Sequence, residues 1–129
     1  MATLSKILLI FLGAGIGANA RYWLGGWIQV RTGVAFPWNT MIVNISGSLA
    51  MGILMAVLVR GSLGGNGRLF LAIGLLGGYT TFSSFSYEVV GLIQERSYLY
   101  ALWYILGSNV LSILGCALGY IGMRAVTGA

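Results

Sequence analysis

One stretch of this chain concentrates side chains that could do chemistry within otherwise apolar sequence. Residues 77 to 88 read Gly-Gly-Tyr-Thr-Thr-Phe-Ser-Ser-Phe-Ser-Tyr-Glu and lie between the apolar segments Leu69–Leu76 and Val89–Ile93. Lipid cannot hydrogen-bond a hydroxyl or hydrate a carboxylate, so such groups must face other protein or a water-filled path. Polar residues inside apolar spans usually mark function, and this run therefore carries the first functional hypothesis.

The composition indicates that these residues belong to a membrane protein. Of 129 residues, 58% are hydrophobic and 7% are charged, whereas soluble domains carry roughly 25% charged residues. The mean hydropathy is +0.92. Each of four apolar stretches is long enough to cross a bilayer at about 1.5 Å per residue. We therefore predict an all-α protein whose single transmembrane domain, residues 1–129, contains four helices. The stretches are Ile7–Ile28, Trp38–Val59, Leu69–Ile93 and Tyr98–Met123.

The same composition excludes several classes of site. The chain contains one cysteine, Cys116, and no histidine, so it offers neither an intrachain disulfide framework nor a His/Cys metal cluster. The net charge of +5 comes from scattered cations that form no basic stripe, so we expect no nucleic-acid partner. No pair of a base and a nucleophile is visible, and we expect no enzymatic activity.

The positive charges give only a weak bias for one orientation in the membrane. With four spans, both ends of the chain and the second connector share one side, and orientation follows an excess of Lys and Arg. A near tie allows insertion both ways round, and hence an antiparallel dimer, although a weak bias can also suffice for a single orientation. The first side carries Lys6, Arg60, Arg68 and Arg124, and the other carries Arg31, Arg96 and Arg21.

Polar side chains also occur in the first, second and fourth spans. Arg21 lies near the second interface, where it could extend to lipid headgroups or act as a cation at a pore mouth. Asn44 and Ser48 lie one turn apart and could form interhelical hydrogen bonds or offer donors to a passing anion. The fourth span carries a stripe that recurs every four residues and has donors at three of its positions. The stripe consists of Tyr104, Ser108, Ser112 and Cys116.

The third span is predicted to break near its middle. Gly77-Gly78 and Thr80-Thr81 are poor helix formers, and a break there would free backbone carbonyls that lipid cannot satisfy. Neighbouring hydroxyls could satisfy these carbonyls. A bound cation could do so as well, because unwound carbonyls of broken membrane helices can coordinate Na⁺.

Beyond the break, aromatic rings lie among hydroxyls. Phe82 and Phe85 are three residues apart, with Ser83 and Ser84 between them. Packing is one explanation for the two rings, and contact of their positive edges with a small anion is the other. Glu88, one turn beyond Ser84, would repel an anion unless it is protonated, paired with a cation or turned aside.

Four strings carry a family resemblance: GAGIGANARY at residues 13–22, TMIVNISGS at residues 40–48, the run at residues 77–88, and SNVLS at residues 108–112. Through these strings the chain resembles the CrcB/Fluc fluoride channels. The match extends over all four spans, and the third string is the most specific. Two positions depart from the family pattern, namely Cys116, where threonine often continues the polar track, and Asn39, where glycine is usual.

The resemblance implies a function and a set of site residues. It implies an antiparallel, dual-topology homodimer in the bacterial plasma (inner) membrane, with two fluoride pores and passive export of cytoplasmic fluoride. A structural Na⁺ at the dimer centre would be bound by the backbone carbonyls of Gly77 and Thr80. The residues implied for the fluoride pore and its vestibule are Arg21, Asn44, Phe82, Ser83, Ser84, Phe85, Glu88, Tyr104, Ser108 and Ser112.

Elementary chemistry agrees with this expectation but is less specific. Fluoride is small and tightly hydrated, so a pore must replace its water with donors, and neutral donors avoid the deep binding that a fixed cation would cause. The residues alone indicate a pore for a hydrogen-bond-accepting ion, and the choice of fluoride rests on the resemblance. The alternatives are a dual-topology multidrug or cation exporter and a non-conducting assembly subunit. Against the exporter, the first span has no carboxylate for proton-coupled efflux.

Overall fold

Four helical spans, each long and apolar enough to cross a membrane, form the regular structure of residues 3–61 and 63–128, which this computed structural model describes. The predicted all-α class with four transmembrane helices is confirmed. The third span, Gly64–Gln94, consists of four consecutive helical pieces. The elements are α1 (Thr3–Thr32), α2 (Trp38–Val59), α3 (Gly64–Gly67), a π-helix (Arg68–Leu76), α4 (Gly77–Tyr79), α5 (Phe82–Gln94) and α6 (Tyr98–Thr127).

The helices extend beyond three of the four apolar stretches. Helix α2 has the predicted bounds. It starts directly after Pro37, which lacks a backbone N–H. Helices α1 and α6 continue for about one further turn, to Thr32 and Thr127. Each of these last turns carries an arginine, Arg31 or Arg124, and cations are favourable at a helix C-terminus. Both helices therefore extend beyond the apolar stretch into polar residues.

The third span is interrupted at Thr80 and Thr81, as predicted. Both residues have extended backbone, and helix α5 starts afresh at Phe82. The Thr81 hydroxyl oxygen accepts the backbone N–H of Ser84 at 3.2 Å, which caps the new helix. The glycine pair that suggested the break, residues 77–78, stays helical, and the extended backbone begins at Thr80.

The π-helical segment Arg68–Leu76 was not indicated by the sequence pattern. It packs against α1 together with α4. A Cβ atom at Gly13 would collide with the carbonyl oxygen of Phe70, and one at Gly17 would collide with that of Leu75. Only glycine allows this approach, which replaces the hydrophobic drive that lipid does not provide.

The second pair of closely packed helices is α2 with α6. A Cβ atom at Gly52 would collide with the carbonyl oxygen of Cys116, and one at Gly119 with that of Leu49. These contacts hold α6 against α2 just beyond residues 44–47. Glycine thus mediates close packing of α1 with the third span and of α2 with α6.

A small hydrophobic core joins α2, α5 and α6. Tyr104 is fully buried at its centre, and its ring centroid lies 5.0 Å from that of Phe85 and 5.5 Å from that of Phe36. The buried members of this core are Met41, Phe85, Leu92, Ala101 and Tyr104.

We expect Gly17→Ala to destabilise the fold by about 1–3 kcal/mol, because the added methyl has no room between α1 and the third span. Gly15→Ala is the matched control on the same helix, since a Cβ there meets no atom within 4 Å. Thermal unfolding of the purified protein in detergent measures the effect. Equal unfolding midpoints for the two variants would contradict the packing described here.

Candidate functional site

The side chain of Asn44 on α2 holds the break of the third span. Its Nδ2 donates to the carbonyl oxygen of Thr81 at 2.9 Å, and its Oδ1 accepts the Thr81 N–H at 2.8 Å. The amide therefore pairs with the Thr81 backbone as a neighbouring strand would. Both backbone groups find partners inside the protein, as an interruption within a membrane requires.

This pairing and the helix cap divert two N–H groups from their helical acceptors. In a continuous helix, the Thr81 N–H would donate to Gly77 and the Ser84 N–H would donate to Thr80. Here the first donates to Asn44 and the second to the Thr81 hydroxyl. The carbonyl oxygens of Gly77 and Thr80 are thereby released from these bonds. Gly77 is also exposed on the surface of the single chain.

Two further residues of α2 contact the chain at the break. The hydroxyls of Ser46 and Tyr79 lie 2.9 Å apart and form a hydrogen bond. Gly47 packs against Thr80 so closely that a Cβ atom would collide with the threonine methyl group. One turn of α2, residues 44–47, therefore contacts each residue from Tyr79 to Thr81.

A cavity of about 280 Å³ adjoins the break between α2 and α6. Among the described residues, the buried Ser108 hydroxyl oxygen has no hydrogen-bond partner. Because buried polar atoms are almost always satisfied, this hydroxyl is available to an occupant of the cavity. The polar lining consists of Asn44, Ser48, Thr80, Thr81, Ser108, Asn109 and Ser112, and the aromatic lining consists of Phe82 and Phe85.

A larger cleft of about 1130 Å³ lies beside α1, α2 and α5. It contains two cations, Arg21 and Arg31, and one carboxylate, Glu88. The Arg31 guanidinium stacks over the ring of Trp27 at 3.8 Å from the ring centroid. The cleft thus combines a positive rim with polar side chains near the break, which are Asn39, Thr40, Thr81 and Ser84.

The carboxylate of Glu88 is bound by two neutral hydroxyls. Thr40 Oγ1 donates to Oε1 at 2.7 Å, and the Tyr104 hydroxyl donates to Oε2 at 2.6 Å. The Glu88 carboxyl group is therefore turned towards α2 and α6, where both of its oxygens are hydrogen-bonded. Tyr104 acts as both the centre of the core and a donor to the site.

Eight of the ten candidate pore residues line one of the two cavities. Thr81, which was not one of the ten, lines both. Tyr104 links the two sets through its bond to Glu88 and its ring contact with Phe85. Ser83 lines neither cavity; its hydroxyl lies 3.3 Å from that of Thr81. The larger cleft contains Arg21, Ser84 and Glu88, and the smaller cavity contains Asn44, Phe82, Phe85, Ser108 and Ser112.

Thr40 and Thr81 lie in the site but were not predicted as site residues, and Thr81 was named only as part of the break. Thr40 lies four residues before Asn44 on α2 and shares its helix face, so the spacing alone could have indicated it. The role of Thr81 depends on the exact position of the break. Of the two departures from the family pattern, Asn39 lines the larger cleft, whereas Cys116 is absent from the lining of both cavities.

The family model described as CrcB-like protein, Camphor Resistance (CrcB), matches residues 8–120. The chain belongs to the CrcB family. Similar proteins named fluoride-specific ion channel FluC include one from Thermus thermophilus, 46% identical over 89% of this chain and 91% of the relative. One from Roseiflexus sp. is 46% identical over 88% of this chain and 93% of the relative. One from Sphingopyxis alaskensis is 42% identical over 94% and 97%.

Membership of the CrcB family and four apolar spans define the cellular setting. The chain is a multi-pass protein of the bacterial inner membrane. The smaller cavity adjoins the break near the middle of the third span, Gly64–Gln94, where lipid offers no hydrogen bonds.

We expect Tyr104→Phe to lower the free energy of unfolding of this CrcB-family protein by about 1–3 kcal/mol, since one Glu88 oxygen loses its donor. Tyr100→Phe is the matched control, because the Tyr100 ring is half exposed and keeps its edge contact with Phe36 as phenylalanine. Chemical unfolding in detergent compares the two. Indistinguishable unfolding curves would show that the hydroxyl contributes nothing to stability.

Proposed function

We propose that the chain is a fluoride-selective passive channel that exports cytoplasmic fluoride, and that it is a channel and not an enzyme. The observation that carries the proposal is the name of its relatives. Proteins that are 42–46% identical over most of both chains are named fluoride-specific ion channels.

The chemistry of the smaller cavity supports an anion path. Its lining combines hydroxyl and amide donors with aromatic rings and contains no charged side chain. A tightly hydrated anion needs donors to replace its water, and neutral donors avoid a deep binding well. The free Ser108 hydroxyl is one such donor.

The two phenylalanines are proposed to contact the ion through their ring edges. The rings of Phe82 and Phe85 lie 5.4 Å apart between centroids and are tilted by 41°. Phe85 is buried in the core, whereas 74% of Phe82 is exposed in the single chain. Ring edges carry partial positive charge and attract an anion without a full countercharge.

The larger cleft suits an entrance. Arg21 and Arg31 line it and would raise the local concentration of anions. Glu88 opposes this effect with a single charge, and its carboxyl group is turned towards the hydroxyls of Thr40 and Tyr104. We propose that anions enter by this cleft and reach the smaller cavity past Thr81, which lines both.

Two copies are proposed to form the channel as an antiparallel, dual-topology homodimer with two pores. Phe82 and the polar side chains of Ser83 and Asn109 are exposed in the single chain, although they lie within apolar spans. A partner chain would cover these residues, and it could offer the hydrogen bonds that lipid cannot give to Ser83 and Asn109. The near balance of Lys and Arg on the two sides would permit opposite orientations.

A structural Na⁺ at the dimer centre fits the backbone of the break. The carbonyl oxygens of Gly77 and Thr80 are among those that lose their helical donors at the break. Unwound carbonyls of broken membrane helices coordinate Na⁺. We propose that these two carbonyls hold the ion, which would neutralise their partial charge and fix the shape of the break.

Passive fluoride efflux from liposomes tests the function. Liposomes loaded with potassium fluoride and containing the purified protein should release fluoride to an ion-selective electrode, and chloride-loaded liposomes should retain their ion. Protein-free liposomes provide the background leak. Equal chloride release would refute selectivity, proton-coupled drug exchange would favour the exporter, and no flux would favour an assembly subunit.

We expect Phe82→Ile and Phe85→Ile each to reduce fluoride efflux by about tenfold or more, because isoleucine keeps the bulk but lacks the ring edge. Phe11→Ile is the matched control, since Phe11 is 72% exposed on α1 and lines neither cavity. Size-exclusion chromatography should show the same oligomer for all variants. Wild-type efflux in both pore variants would leave the rings a packing role only.

A further inference from the structure

We propose that Asn44 acts on ion passage as a positioning residue, by holding the Thr81 backbone and so keeping the Gly77 carbonyl free of its helical donor. The inference rests on the proposed channel function and adds to it. The resemblance assigns Asn44 to the pore wall, whereas the hydrogen bonds give this side chain a second role in shaping the broken helix.

The geometry commits most of the Asn44 amide to the backbone. An asparagine side chain offers one carbonyl oxygen and two N–H donors. The oxygen accepts the Thr81 N–H at 2.8 Å and one N–H donates to the Thr81 carbonyl at 2.9 Å. One N–H then remains for an occupant of the adjoining cavity. Holding the break uses both kinds of group, while direct contact with an ion can use only one donor.

The choice of residue follows from this double role. The Thr81 residue presents a backbone donor and a backbone acceptor, and a side-chain amide presents the complementary pair without charge. A shorter or apolar side chain would leave two backbone groups at membrane depth without partners, at a cost of about 1–3 kcal/mol each. The Thr81 N–H would then no longer be held away from Gly77.

The neighbouring residues of α2 also hold the break in place. The hydroxyls of Ser46 and Tyr79 form a hydrogen bond. The Thr80 methyl group packs so closely against Gly47 that a Cβ atom there would collide with it. Asn44 is thus one part of a seat on α2, residues 44–47, that fixes residues 79–81. Substitutions elsewhere in this seat should therefore disturb the break even when they remove no donor.

Hydrogen–deuterium exchange of the full-length protein in detergent tests the holding role apart from conduction. In Asn44→Ala, we expect peptides covering residues 78–84 to exchange about tenfold faster than in the wild type, because local opening no longer has to break the amide pair. Gly47→Ala should alter the same peptides, since its methyl displaces Thr80. Ser48→Ala is the control for exchange, because Ser48 lines the same cavity but makes no described hydrogen bond to the break.

Fluoride efflux measured on the same preparations completes the test. The proposal requires that Asn44→Ala both speed local exchange and lower efflux by about tenfold or more. Lower efflux with unchanged exchange would overturn it and leave direct contact with the ion. Faster local exchange with wild-type efflux, or faster exchange throughout the chain, would overturn it as well. If the wild type passes no fluoride, the proposed function fails, and the exchange data still decide whether Asn44 holds the break.

Discussion

A helix that is broken inside a membrane must find partners for the backbone groups that the break exposes, and the rest of this structure depends on how that is done. The Asn44 amide pairs with both backbone groups of Thr81, and the Thr81 hydroxyl accepts the Ser84 N–H in the first turn of the helix that follows. The glycines of α1 and α6 bring the flanking backbones close enough to keep this arrangement in place. Among the buried side-chain atoms of the described residues, the Ser108 hydroxyl oxygen is left without a partner, and Ser108 lines the smaller cavity.

Charged side chains are kept out of the smaller cavity. Full charges stand at the rim of the larger cleft, and the one carboxylate near the break is held by two hydroxyls. The smaller cavity is lined by neutral donors and ring edges. A weakly held, dehydrated anion suits such a lining better than a cation or a bulky drug does, because each contact is weak and can be exchanged for the next. The Tyr104 ring, at the centre of the core, packs against Phe85 of this lining, and its hydroxyl donates to Glu88.

The sequence predicted the four spans and the interruption of the third, because apolar length and poor helix formers are local signals. The π-helix at Arg68–Leu76 and the hydroxyl clamp on Glu88 were not predicted, since both depend on which helices meet. Asn44 shows the limit most clearly. Its type and depth suggested a polar role, but only the spatial position of Thr81 shows that its amide pairs with backbone.

The central claim, that neutral groups around the break pass fluoride selectively, is tested most directly by the reversal potential of purified protein in a planar bilayer. With fluoride and chloride gradients set in opposite directions, the account predicts a reversal potential that follows the fluoride gradient and does not respond to chloride. A reversal potential that follows chloride, protons or the accompanying cation would contradict it.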